Sequence, residues 1–363
     1  MALSRYITTP WLWLYGITFF TLALAYPLGR YLEGIVPSLA YPLVLIGAYW
    51  LAAILYMAMM LITIEIARLI HRFQPFIPES WLNYEKTPLY LVLAVLSMTA
   101  LLLTYGSWNA KNPQITSYEI AIAKEASNEA GSLEEMTIAV VSDLHLGTII
   151  HNDRLLKMVE MVQALEPDLI LFPGDVIDED PGPFAKQDMK ATFEKLRAPY
   201  GIYAVPGNHE YIGQQWDEIF AYLEESGVTV LRDEYRRIDD LFYIVGRDDL
   251  SRKNFAGTER KSLAEVMEQI DPTLPILLLD HQPFYLEEAV EQGVDLQVSG
   301  HTHRGQLFPF NLVTHFMFET DWGHLVKGDS HFIVSTGFGT WGPPIRIGNR
   351  PEVVEIRLYF RAP

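Results

Sequence analysis

The stretch Thr137-Ile138-Ala139-Val140-Val141-Ser142-Asp143-Leu144-His145 carries the pattern that decides the fold of this 363-residue chain. A short apolar run of strand length leads straight into a polar segment, with a carboxylate and an imidazole two residues apart. The pattern recurs. Residues 169–172 lead into Gly174-Asp175-Val176-Ile177-Asp178, and 201–205 into Gly207-Asn208-His209-Glu210. Residues 276–279 lead into Asp280-His281, and 296–298 into Gly300-His301-Thr302-His303. Further strands are expected at 228–231, 242–245, 331–334 and 353–358. One more is expected near 118–122, where Tyr118, Ile120 and Ile122 alternate with polar or small residues. Helical stretches fall at 153–165, 186–196, 216–225, 262–270 and 284–291. Strands alternating with helices predict a layered α/β domain whose sheets are covered by helices. In such folds ligand sites lie beyond the carboxyl ends of strands, where these polar segments fall.

The first third of the chain reads differently. Residues 11–28, 39–66 and 89–105 are long apolar runs, each near the roughly 17–25 residues that cross a bilayer. Trp11, Trp13, Tyr26, Tyr41, Tyr90, Tyr105 and Trp108 sit near their ends, as aromatic belts do. The expected division is a transmembrane unit of about three helices over 1–112 and an α/β domain over 113–363. Arg68, Arg72 and Lys86 lie between the second and third runs, against Arg30 alone between the first and second. The positive-inside rule then puts the N-terminus in the cytoplasm and the α/β domain outside it. The expected location is a multi-pass protein of the plasma membrane of a bacterium.

Composition excludes several classes. With no cysteine there are no disulfides, thiolate metal sites or cysteine nucleophiles. Residues 1–112 carry a net +2, which leaves −20 of the total −18 on the remainder. A domain so acidic does not suit nucleic acid, whose phosphates are bound by Lys and Arg. It does suit a site neutralised by divalent cations.

Asp-x-His and His-x-His place two donors on one side of an extended or tightly turned segment, within reach of a common ion. Carboxylates and neutral imidazoles suit divalent manganese, iron or zinc. Glycines before Asp175, Asn208 and His301 permit tight turns and close backbone approach. Five such fragments in order, each at a strand end, point to a metal site.

Together, Asp143-x-His145, Gly174-Asp175, Gly207-Asn208-His209-Glu210, His281 and Gly300-His301-Thr302-His303 resemble the signature of the calcineurin-like metallophosphoesterases. The resemblance covers about residues 137–358. The N-terminal runs, and Ser335-Thr336-Gly337-Phe338-Gly339-Thr340 followed by Pro343-Pro344-Ile345-Arg346, are similar to its membrane-anchored, bacterial phosphodiesterase-like branch. The resemblance implies a four-layer α/β sandwich of two mixed sheets flanked by helices. It implies two divalent metal ions, manganese or iron ahead of zinc. Asp143, His145 and His303 would bind the first ion, Asn208, His281 and His301 the second, and Asp175 would bridge them. His209 would face the substrate phosphate without ligating metal.

That arrangement suits in-line attack on phosphorus by a hydroxide formed between two cations. His209 could offset charge or protonate the leaving oxygen. Glu210 reads either as a group orienting His209 or as a surface carboxylate. Asp178 reads as a support for the site or a helix N-cap, and Arg304 as a phosphate contact or one half of an ion pair. Asp280 reads as a support for His281 or as structural. Residues 307–318 are apolar enough to be core, or else a flap that dips into a bilayer or holds acyl chains. The expected substrate is a phosphodiester or pyrophosphate of a lipid-linked or envelope compound. Phosphomonoesters and nucleotides are the alternatives, and a non-catalytic metal-binding scaffold is a further one. A transporter or receptor fits poorly, because the apolar runs hold little polar beyond Glu65.

Overall fold

The computed structural model describes residues 9–129 and 131–361. Its contacts cluster into two units, Met1–Trp108 with Gly342–Ile345 and Asn109–Trp341 with Arg346–Pro363. Three helices in the N-terminal part, Pro10–Leu32, Pro37–Phe73 and Thr87–Ala110, are long and apolar enough to cross a membrane. They extend the runs read from sequence, because apolar stretches propagate helix into their polar flanks. The first two pack closely through small residues. A Cβ on Gly47 would lie 2.2 Å from the Tyr26 backbone nitrogen, and Ala40, Ala48 and Ala52 are buried beside it. Tyr49 hydroxyl meets Ser107 Oγ at 2.7 Å, joining the second and third helices. Large side chains such as Trp13, Phe20 and Leu101 stay exposed, as lipid-facing residues do.

The second unit holds fourteen described strands. The first seven are β1 Gln114–Ile122, β2 Ala126–Asn128, β3 Gly131–Leu133, β4 Glu135–Val140, β5 Leu169–Pro173, β6 Ile202–Val205 and β7 Thr229–Val230. The rest are β8 Glu234–Ile238, β9 Phe242–Gly246, β10 Ile276–Leu279, β11 Leu296–Ser299, β12 Gly323–Lys327, β13 Ser330–Val334 and β14 Glu352–Phe360. One sheet has the order β1-β14-β4-β5-β6-β7 and another β12-β13-β11-β10-β9-β8, while β2 and β3 form a small hairpin. Both large sheets are mixed. β14 runs antiparallel to β4, and β8 and β12 run antiparallel to their neighbours.

Alternation along the strands builds the layers. Leu169 and Leu171 of β5 share a core with Phe242 and Ile244 of β9 and Leu277 and Leu279 of β10. Ile170 and Phe172 point the other way, toward the helix Asn152–Gln163 through Met158 and Val162. Tyr243, Val245 and Leu278 face the helices Leu263–Met267 and Leu286–Glu291. The result is helix, sheet, sheet, helix, the expected four-layer sandwich. Parallel inner strands are covered on both faces, so they read as nearly continuous apolar runs.

The structure departs from the sequence reading in definite places. β8, Glu-Tyr-Arg-Arg-Ile, and β12 were not expected; both are edge strands with exposed polar residues, which lack a two-sided apolar signal. The helix expected at 186–196 is two short helices, Gly182–Lys186 and Met189–Phe193, broken where Asp188 takes φ +50°. Within residues 307–318, read as core or flap, Phe310–Met317 form a helix.

Leu171 is fully buried between the two sheets. Leu171→Ala is expected to destabilise the domain by about 2–5 kcal/mol. Leu156→Ala, at an exposed position on an outer helix, should cost less than about 1 kcal/mol. Equal shifts of the two denaturation midpoints would contradict a core running between the sheets.

Candidate metal centre

The polar segments after β4, β5, β6, β10 and β11 meet at the shared carboxyl edge of the two sheets. Their donor atoms form a continuous run. His303 Nε2 lies 3.4 Å from Asp143 Oδ1 and 3.0 Å from His145 Nε2. His145 Nε2 lies 3.8 Å from Asp175 Oδ2, which is 3.2 Å from His281 Nε2. His281 Nε2 lies 3.2 Å from Asn208 Oδ1, and that oxygen is 2.8 Å from His301 Nδ1. All seven residues named from sequence are therefore brought together. Asp175 stands in the middle, with Asp143, His303 and His145 on one side and His281, Asn208 and His301 on the other.

This cluster fits metal ions on the chemistry of its donors. Asp143, His145, Asp175, His281 and His303 are all buried. The Nδ1–H of His281 donates to the Pro173 carbonyl at 2.8 Å, so in the neutral ring Nε2 is a lone pair. It faces two further acceptors, Asn208 Oδ1 and Asp175 Oδ2. Acceptors converging in a buried place need a cation between them. Protonation alone divides the imidazoles. Burial works against charge on His281, yet the adjoining Asp175 holds it well above its usual range. Burial and that neighbour then push His301 down to about 3. Asp143, His145 and His303 form one group able to hold an ion, Asp143, Asp175 and His281 a second, and His145, Asp178 and His209 a third.

The backbone is distorted to bring these donors in. Asp143, His145, Asp175, His301 and His303 have φ of +54°, +49°, +53°, +69° and +47°. Left-handed backbone at non-glycine residues costs on the order of 1–3 kcal/mol each and persists where the surroundings over-determine it. Close approach is enforced as well. A Cβ on Gly300 would lie 2.3 Å from Asp143 Oδ2, and one on Gly174 would lie 2.4 Å from His281 Nδ1.

Glu210 is neither a surface carboxylate nor a partner of His209. It is buried and accepts from the backbone N–H groups of Asp175, Val176, Ile177 and Gly207 at 2.7–3.1 Å. It thereby stitches the loop after β5 to the loop after β6. Burial, with Asp175 nearby, pushes its carboxyl up to about 7. Asp178 is no N-cap. Its Oδ1 accepts from His209 Nδ1 at 2.8 Å and lies 3.7 Å from His145 Nδ1. Burial would raise the Asp178 carboxyl, but these two imidazoles hold it well below its usual range. His209 in turn is opposed by burial yet held up at about 9 by Asp175 and Asp178. Arg304 stacks on Trp322 at 4.2 Å, and Asp280 pairs with Arg260 at 2.8 Å.

Arg346 was not singled out from sequence beyond its place in a resembling segment. It is fully buried and donates to the carbonyls of Gly339 and Thr336, while Nη2 sits 3.1 Å from His303 Nδ1. Burial lowers its pKa to about 9. No single-residue signal reveals such a role, because its partners are backbone carbonyls and a ring 43 positions away.

The chain is similar in sequence to known phosphoesterases. A sequence profile described as calcineurin-like phosphoesterase matches residues 136–305. A Bos taurus protein, "Transmembrane protein with metallophosphoesterase domain", is 31% identical over 75% of this chain and 63% of its own length. The chain thus spans under two thirds of that relative. An Aquifex aeolicus metallophosphoesterase is 35% identical over 62% of this chain and 85% of its own length. The solved structure of TT1561 from Thermus thermophilus matches with TM-score 0.38 and 13% identity, over 56% of this chain and 90% of that one.

Glu210→Gln places an amide NH2 against backbone donors. It should lower bound metal per chain severalfold and destabilise the domain by about 2–4 kcal/mol. Elemental analysis with thermal unfolding reads both, and an unchanged metal content would contradict the stitching role.

Proposed function

We propose the following reaction for this chain, which belongs to the calcineurin-like phosphoesterase family: in-line hydrolysis of a phosphate ester across two divalent cations. Members of the family are metal-dependent phosphoesterases, and the chain associates with membranes through its apolar helices. The observation that carries the two-ion reading is the run of seven donors with Asp175 at its midpoint. Asp143, His145 and His303 would hold one ion and Asn208, His281 and His301 the other, with Asp175 available to both. The donor set of oxygen and imidazole nitrogen accepts manganese, iron or zinc, and the family resemblance is the ground for proposing manganese or iron first. Two such ions supply Lewis acidity and lower the pKa of water enough to give a nucleophile at neutral pH.

The chain's own residues position these parts. His281 is oriented by its bond to Pro173 and presents Nε2. His209 ligates nothing in this assignment. Its Nδ1–H is donated to Asp178, which leaves Nε2 for the substrate. A proton carried there can pass to the leaving oxygen or offset charge on the phosphoryl group. Glu210 fixes the loop that carries Asp175, and Arg346, anchored on the loop after β13, bonds the ring of His303.

The substrate proposed is a phosphodiester or pyrophosphate of a lipid-linked or envelope compound. Three membrane-crossing helices and an exposed apolar helix beside the site support that choice. The functional division proposed is a transmembrane unit over 1–112 and a metallophosphoesterase domain over 113–363. The domain faces outward from the plasma membrane of a bacterium, on the strength of Arg68, Arg72 and Lys86 between the second and third helices.

Purified full-length protein with manganese should hydrolyse bis-p-nitrophenyl phosphate, and Asp175→Asn should abolish the activity together with most of the bound metal. Wild-type protein that holds metal yet turns over neither this ester nor a panel of phospholipids would overturn the reading. Asp178→Asn and His209→Asn should each cost about 10²–10⁴-fold in kcat. The loss should be larger for an unactivated phenyl ester than for the nitrophenyl ester. Equal losses on both would remove His209 as the proton donor.

A further inference from the structure

We infer that the helix Phe310–Met317 and the rim beside it seat the phosphoesterase domain on the surface of a lipid bilayer. Phe316 is 86% exposed, Met317 61%, Leu312 51% and Val313 49%. Residues 307–318 contain no Lys, Arg, Asp or Glu, and His315 is their one titratable side chain. Tyr285 stands out from a neighbouring loop, 62% exposed, at φ +56°. A bulky aromatic held in left-handed backbone and turned to the outside is retained at an energetic cost. Contiguous exposed apolar surface of this kind marks a binding face.

The occupant follows from the rest of the chain. Three helices able to cross a membrane belong to the same polypeptide, so a bilayer is always present at high effective concentration. The remainder of the chain is strongly acidic, so attraction to anionic lipid is not the driving force. Insertion of uncharged apolar side chains into the headgroup and upper acyl region is the mode that fits.

The helix is fastened to the metal-binding loop. Thr314 Oγ1 on the helix bonds Asp321 Oδ2 at 2.6 Å, and Thr302 Oγ1, between His301 and His303, bonds the Asp321 carbonyl at 2.7 Å. Phe318, directly after the helix, is buried with its ring 6.0 Å from that of His301 and 4.7 Å from Phe284, beside Tyr285. Only part of the apolar stretch is therefore free to insert, and Phe318 is the hinge pin that joins it to the site. Docking would hold the donor cluster at headgroup level. This rests on the proposed action on membrane-borne phosphoesters and adds how the site meets them.

The chain has no cysteine, so single labels are straightforward. Phe316→Cys and Leu312→Cys, each carrying an environment-sensitive fluorophore, are compared with Glu225→Cys, whose native side chain is 60% exposed on another helix. All are full-length proteins in phosphatidylcholine liposomes. Labels at 316 and 312 should be blue-shifted and quenched roughly threefold more by shallow spin-labelled lipid than the label at 225. Quenching no greater than at 225 would overturn the inference. So would labels shielded from water but untouched by lipid quenchers, which would mean that another protein surface covers the helix. Phospholipid hydrolysis is read on the same samples. Quenching without hydrolysis would retain docking and remove the lipid substrate, and hydrolysis without quenching would do the reverse.

Discussion

Asp143, His145, Asn208, His281, His301 and His303 are packed around the Asp175 carboxylate at the edge of two sheets, and most of them are shut off from water. Such an assembly is unstable as neutral protein, because lone pairs face lone pairs in a medium of low dielectric. Positive charge resolves it. Protonating one ring, His281, does so in part and forces its neighbour His301 to remain neutral. Divalent ions do so fully. The four-layer sandwich exists, in functional terms, to hold this unfavourable cluster in place.

Holding it takes reinforcement at two points. Glu210 gathers four backbone N–H groups from two loops, so that Asp175 and Asn208 are fixed by the same buried carboxylate. Arg346 gathers carbonyls of the loop after β13 and reaches His303 from the opposite side. One anion satisfies donors and one cation satisfies acceptors, each where the chain turns too sharply for ladder bonding. The left-handed conformations of Asp143, His145, Asp175, His301 and His303 are the strain these anchors sustain.

The two units solve different solvation problems with one polypeptide. In the first, small residues allow close helix packing while large apolar side chains face outward. In the second, apolar residues go inward on both faces of both sheets. The helix Phe310–Met317 breaks the second rule while adjoining the loop that carries His301 and His303, which is the placement the proposed docking to a bilayer requires.

Much of the protein was legible from residue order. Inner strands announced themselves as apolar runs because both of their faces are buried, and metal donors announced themselves because each follows such a run directly. Membrane helices were visible because length and hydropathy are local properties. Edge strands β8 and β12 were not visible, since an edge needs no second apolar face. The parts played by Glu210 and Arg346 were not visible either, while support of the site was one of two readings open for Asp178. A carboxylate beside a histidine reads the same whether it faces water or accepts from three backbone N–H groups of a loop 33 to 35 residues away. The sequence by itself determined which atoms could bind metal, because donor chemistry belongs to the residue. Only the tertiary structure decided their order around Asp175, the buried anchors that hold them and the exposure of Phe316. Distance and burial arise from packing segments far apart in the chain.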